Sequence, residues 1–138
     1  MKVLIFLSLL FFSHNVLAQE PVKVYAKNAI LMPGDKLDFE GISVKFKALI
    51  SDSRCPRGVT CIWAGEAKVL VELFKGGKSL GEEVVTIAPA TAAKYLFNNL
   101  LEKSAFSFAA LALYPYPEID SKIKPSEYRL KIRGEKVL

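Results

Sequence analysis

An all-β, antiparallel, immunoglobulin-like sandwich of about seven strands is the fold this sequence predicts. Three observations predict it. Apolar and polar residues alternate with a period of two in one run after another, turn-forming residues punctuate those runs, and one segment alone carries helical spacing. A small β-barrel is the alternative way to close the same strands. The 138 residues are 51% hydrophobic and 24% charged, a composition that excludes a disordered chain and supports one domain with its own core. No internal repeat is visible, which excludes a solenoid.

The elements follow in chain order. Extended segments at 22–25 and 36–39 flank a Met32-Pro33-Gly34-Asp35 turn. Ile42, Val44, Phe46, Ala48 and Ile50 alternate with Ser43, Lys45, Lys47 and Leu49, as on a half-buried strand. Ala67, Val69, Val71 and Leu73 repeat the pattern, and Gly76-Gly77 then predicts a hairpin into 79–87. Ala93, Leu96, Phe97, Leu100 and Leu101 have the spacing of an amphipathic helix, so 91–103 is expected to hold a short helix or helical turn with Thr91 as a candidate cap. Residues 106–114 are apolar on both faces, as in a strand covered on both sides. Tyr128, Leu130 and Ile132 alternate with Arg129, Lys131 and Arg133 to close the series.

The first 18 residues read as a signal peptide. Lys2 precedes the apolar run 3–12, broken only by Ser8, and Val16-Leu17-Ala18 supplies a cleavage site before Gln19. The run is too short to span a bilayer, since a spanning helix needs about 20 apolar residues. Gln19 is not a cysteine, so no lipid anchor is indicated, and no later segment has the length of a membrane span. The expectation is a single domain over 19–138, exported to the periplasm or the medium. The sole histidine, His14, leaves with the signal. The mature chain therefore lacks the usual general acid–base residue, any Ser-His-Asp or Cys-His arrangement and any His-ligated metal site. A non-enzyme without cofactor is the expectation. Removing Lys2 leaves 18 basic against 14 acidic residues, a net charge of +4. No nucleic-acid motif accompanies it.

The informative stretch is 52–67, D-S-R-C-P-R-G-V-T-C-I-W-A-G-E-A. Cys55 and Cys61 are the only cysteines, and in an oxidising compartment they are expected to pair. Closing so short a ring stabilises by roughly 2–3 kcal/mol on the chain-entropy account. Five intervening residues do not match the C-x-x-C spacing of a redox pair, and two thiolates alone do not make a metal site. Trp63 is expected to pack beneath the loop with its indole N–H on a carbonyl. Gly65 is expected where the chain makes a close approach. Asp52, Arg54, Arg57 and Trp63 form the candidate binding loop. Two readings of its arginines stand side by side: a presented recognition surface, or local ion pairs and hydrogen bonds that shape the turn. Asp52 and Glu66 flank the ring without a spacing that would make them a catalytic pair.

This stretch resembles a group of small exported bacterial proteins of unknown function that share a D-S-R-C-P-x-G-x-x-C-x-W-A-G-x-A segment. Tyr114-Pro115-Tyr116-Pro117 and the late Glu127-Tyr128 match further elements of that group. The resemblance implies an exported β-rich domain with one disulfide and carries no activity, cofactor or catalytic residue across. A second candidate surface comprises Tyr114 and Tyr116, which offer aromatic faces, with Arg129, Lys131 and Arg133 on the densest basic stretch. The functional expectation is a binding module that engages a protein or an envelope polymer through the basic loop. The alternative is an inhibitor of a secreted hydrolase that displays arginine from the ring.

Overall fold

In a computed structural model, residues 19–89 and 94–138 are described. The signal segment, Thr91 and Ala93 lie outside the described residues. Among the described residues, eight strands form two four-stranded antiparallel sheets. They are β1 (Val24–Leu31), β2 (Lys36–Phe39), β3 (Ile42–Asp52), β4 (Ala67–Lys75), β5 (Lys78–Ile87), the three-residue β6 (Lys94–Leu96), β7 (Phe106–Tyr114) and β8 (Arg129–Val137). One sheet runs β1-β8-β7-β6, the other β2-β3-β4-β5. The architecture is the predicted two-layer sandwich rather than a closed barrel. The second sheet is a plain meander, and in the first β1 adds beside β8.

The alternation rule places the core. Val44 and Phe46 from β3 and Val69, Val71 and Leu73 from β4 are fully buried against Phe108 of β7 and Leu130 and Ile132 of β8. Gly76 and Gly77 both take positive φ, 58° and 79°, in the two-residue turn of the β4–β5 hairpin. Asp35 closes the 32–35 turn, its N–H donating to the Met32 carbonyl and its carboxylate accepting from the Met32 N–H.

The expected single-face series on β3 holds only as far as Phe46. Register shifts follow between Phe46 and Ala48 and between Leu49 and Ser51. An extra residue reverses which side chains face the core, so Leu49 packs inward while Ala48 and Ile50 face solvent. In β7, Phe108, Ala109 and Ala110 are buried in succession, as for a strand covered on both faces. A shift between Ala110 and Ala112 then leaves Leu111 partly exposed.

The predicted helical segment is divided. Residues 94–96 pair with β7, and a single turn of helix, α1 (Asn98–Leu101), follows. Phe97 separates them with φ 54°, while its N–H donates to the Glu83 carboxylate at 2.6 Å. Leu96, Phe97 and Leu101 are buried, but Leu100, which the helical pattern also placed on the apolar face, is 54% exposed. Strand pairing claims the first half of the segment, and the left-handed turn at Phe97 starts the helix late.

Phe108 fills the centre of the sandwich. Its ring lies edge-on to Phe39, with centroids 6.3 Å apart, and over Gly134, where a Cβ would come within 3.0 Å of it. Replacing Phe108 with Ala is expected to cost about 3–5 kcal/mol. Urea unfolding should show this as a lower midpoint at unchanged slope.

Candidate functional site

The loops β3–β4 (53–66) and β7–β8 (115–128) meet at one end of the sandwich, and each comes from a different sheet. The β3–β4 ladder continues into its loop. Ser53 N–H donates to the Glu66 carbonyl at 2.8 Å, and Cys55 N–H donates to the Ala64 carbonyl at 2.9 Å. So narrow a neck has a steric requirement. Gly65 has φ +69°, and a Cβ there would lie 1.8 Å from the Ser53 carbonyl oxygen. The expected close approach at Gly65 is therefore real. Beyond the neck, Cys55 and Cys61 are joined by a disulfide, with Cα atoms 5.9 Å apart.

Arg54 ties the two loops together. It is 5% exposed. Nε and Nη2 donate to the two oxygens of Asp52, both at 2.8 Å. Nη1 donates to the Leu113 carbonyl at 2.8 Å, and Nη2 donates also to the Pro115 carbonyl at 3.0 Å. The Tyr128 hydroxyl donates to Asp52 Oδ2 at 2.9 Å. Four of the five guanidinium N–H groups are thus used, and one sheet's loop is fastened to the end of β7. Main-chain contact extends the seam: Arg57 N–H donates to the Pro117 carbonyl at 3.0 Å, and Arg57 bridges Glu118.

Of the two readings of the arginines, local ion pairing describes Arg54. It is a strut inside the fold, not an exposed contact. Arg57 is exposed, and its guanidinium carbon lies 5.2 Å from the Tyr116 ring centroid. Glu66 pairs with Lys68 at 3.1 Å rather than with either arginine. Trp63 corrects its expectation. It is 81% exposed, beside Ile62 at 94%. Because the neck is closed by main-chain bonds and Gly65, Ile62 and Trp63, between Cys61 and the neck, are held outside the sandwich.

The second candidate surface is divided by the strand pleat. Tyr114 is exposed, Tyr116 half-buried beneath the arginines. Arg129, Lys131 and Arg133 alternate with buried Leu130 and Ile132, so they occupy the outer face of β8. Arg133 pairs there with Glu135 at 2.6 Å. Sequence reasoning missed the part Tyr128 plays, along with the carbonyls of Leu113 and Pro115. The only local signal was a phenol at the head of an otherwise aliphatic strand series.

Among the described residues, no three His, Cys, Asp or Glu side chains gather as a metal site would require. Among the same residues, no helix is long and apolar enough to cross a membrane. No family model, no curated protein and no solved structure matches this chain.

Burial pushes the Asp52 carboxyl up, but the hydrogen bonds from Arg54 and Tyr128 outweigh it and hold the group below its ordinary value of 3.8. Burial, reinforced by the hydrogen bond to Asp52, pushes the Tyr128 phenol from 10.0 to about 12. The signs of the two effects are opposite. The Asp52 contribution to stability is complete above the ordinary carboxylate value and is lost as pH falls through the lower folded one. The Tyr128 contribution is complete below pH 10.0 and is lost between there and about pH 12. Denaturation midpoints followed against pH should show both losses, with Asp52→Asn flattening the acid limb and Tyr128→Phe reducing the alkaline one. Arg54→Ala, which leaves Asp52 buried without its partner, should cost about 3–5 kcal/mol in urea unfolding. Arg54→Lys should rescue little, because an ammonium does not reproduce the two-pronged contact.

Proposed function

We propose that this protein is an exported, non-catalytic binding module that engages a protein partner through the tip of its disulfide-tied loop. One observation carries the reading. Ile62 and Trp63, at 94% and 81% exposure, project from a loop whose base is fixed by a disulfide, a main-chain ladder and a buried arginine. Large apolar side chains held in water are unfavourable for the free protein and gain when a partner covers them. Tryptophan is among the residues that most often dominate interface energies, and a loop already ordered loses little further entropy on binding. The disulfide fits an oxidising compartment and the N-terminal signal reading.

The working residues of the loop in this reading are Ile62 and Trp63, with Arg57 at its flank and Asp52 and Arg54 as support. An inhibitor would need an arginine offered outward from the ring. Arg54 is buried, and Arg57, though exposed, lies on Tyr116 with its amide bonded to Pro117, so the exposed apolar pair favours the binding module.

The mature protein and an Ile62→Ser/Trp63→Ala variant would serve as baits against envelope and culture-fluid proteins of the source cells. A saturable partner lost with the variant is the expected result; retention of the same partner by both baits would overturn the reading. Inhibition of trypsin-like proteases or lysozyme, abolished by Arg57→Ala, would support the inhibitor instead. Trp63→Ala alone should change unfolding stability by less than about 0.5 kcal/mol, as for an exposed side chain without structural contacts.

A further inference from the structure

Behind the loop, where the C-terminal end of β5 faces the last residues of β7, lies a cleft of about 210 Å³. Its walls are apolar at Ile87, Leu111 and Leu113 and polar at Thr86. Three cations reach it, Arg54, Arg57 and Lys94, and no carboxylate belongs to its described lining. Their states differ. Arg54 is neutralised by Asp52, whereas no ion pair of Arg57 or Lys94 is formed among the described residues.

Arg57 is also oriented without being consumed. Its guanidinium carbon is 5.2 Å from the centroid of Tyr116, and that of Arg54 is 5.1 Å from the same ring. An aromatic face attracts the flat of a guanidinium and leaves the in-plane N–H donors free for another acceptor. Lys94 also borders a neighbouring depression that holds Glu82 and Glu83, but with no carboxylate in its own lining the cleft carries a net positive potential from Arg57 and Lys94. The size of the space narrows the ligand further. An apolar cavity of about 150 Å³ accepts a benzene ring, so this cleft has room for one ring with a single charged substituent.

We propose that this cleft is a binding site for a small organic anion, a carboxylate, sulfonate or phosphate carried on one ring-sized apolar body. Arg57 and Lys94 hold the anionic group, Ile87 and Leu111 cover the body, and Tyr116 fixes the attitude of Arg57. The site is distinct from the apolar loop tip and does not depend on a macromolecular partner there.

The test is an NMR titration of the protein with benzoate, p-toluenesulfonate and phenyl phosphate, with benzyl alcohol as the uncharged control. Saturable shifts centred on Thr86, Ile87, Leu111 and Tyr116 are expected with at least one anion. Affinity should fall about tenfold or more in Arg57→Gln and in Lys94→Gln, as for loss of a charge-assisted hydrogen bond. Lys94→Gln keeps the test decisive if Arg57→Gln perturbs the loop. Trp63→Ala should bind the probes like the wild type, which separates this site from the loop tip. Absence of saturation with all three anions would overturn the proposal. Equal affinity for benzyl alcohol, or undiminished affinity in Lys94→Gln, would do the same.

Discussion

Burying a guanidinium and a carboxylate together is favourable only when nearly every donor and acceptor finds a partner. At the loop end of this sandwich, Asp52 receives two guanidinium bonds and a main-chain N–H bond from Arg54 and one bond from Tyr128, while further N–H groups of Arg54 reach the carbonyls of Leu113 and Pro115. The partners come from β3 and its loop on one sheet and from β7 and the segment before β8 on the other. Elsewhere the sheets meet mainly through apolar packing, with single bonds at the margins such as Phe97 N–H to Glu83 and Lys27 to the Asp38 carbonyl. Here they are joined by directional bonds, and that fixes how the two long loops stand relative to each other.

The exposure of the loop tip follows from this junction. With Arg54 drawn inward and Gly65 pressed on the Ser53 carbonyl, the strands between them close like a clasp, and the ring of Cys55 and Cys61 is pushed beyond the sandwich. Ile62 and Trp63 stay in solvent because, among the described residues, none lies above the clasp to cover them. The same inward pull brings the Arg54 and Arg57 guanidinium groups against Tyr116 and lines the cleft with positive charge. One buried ion pair thus underlies two different surfaces, an apolar tip outside and a cationic cleft behind.

Strand identity was largely legible in the sequence because a period of two is a local property. Ala67, Val69, Val71 and Leu73 are buried as their alternation requires, and Gly76-Gly77 makes the hairpin turn it signals. Less legible were the departures from regularity. The extra residues in β3 and β7 depend on which partner strand imposes its register, so Ala48 and Ile50 turned outward against their local pattern. Residues 94–96 carry helical spacing, yet pairing with Phe108–Ala110 supplies hydrogen bonds that a short helix would have had to replace.

The sequence by itself determined the all-β class, the cysteine pair and the glycine-dependent neck, since each rests on neighbours along the chain or on residue chemistry alone. Tertiary structure decided what the conspicuous residues do. Arg54 became a strut through carbonyls 59 and 61 positions away, and Tyr128 became its accessory through a bond across 76 positions. Trp63 remained in water because the clasp below it excluded it from the core. Contacts of such sequence separation leave no periodic trace in the chain, which is why residue type suggested the loop while only the fold distinguished its support from its exposed face.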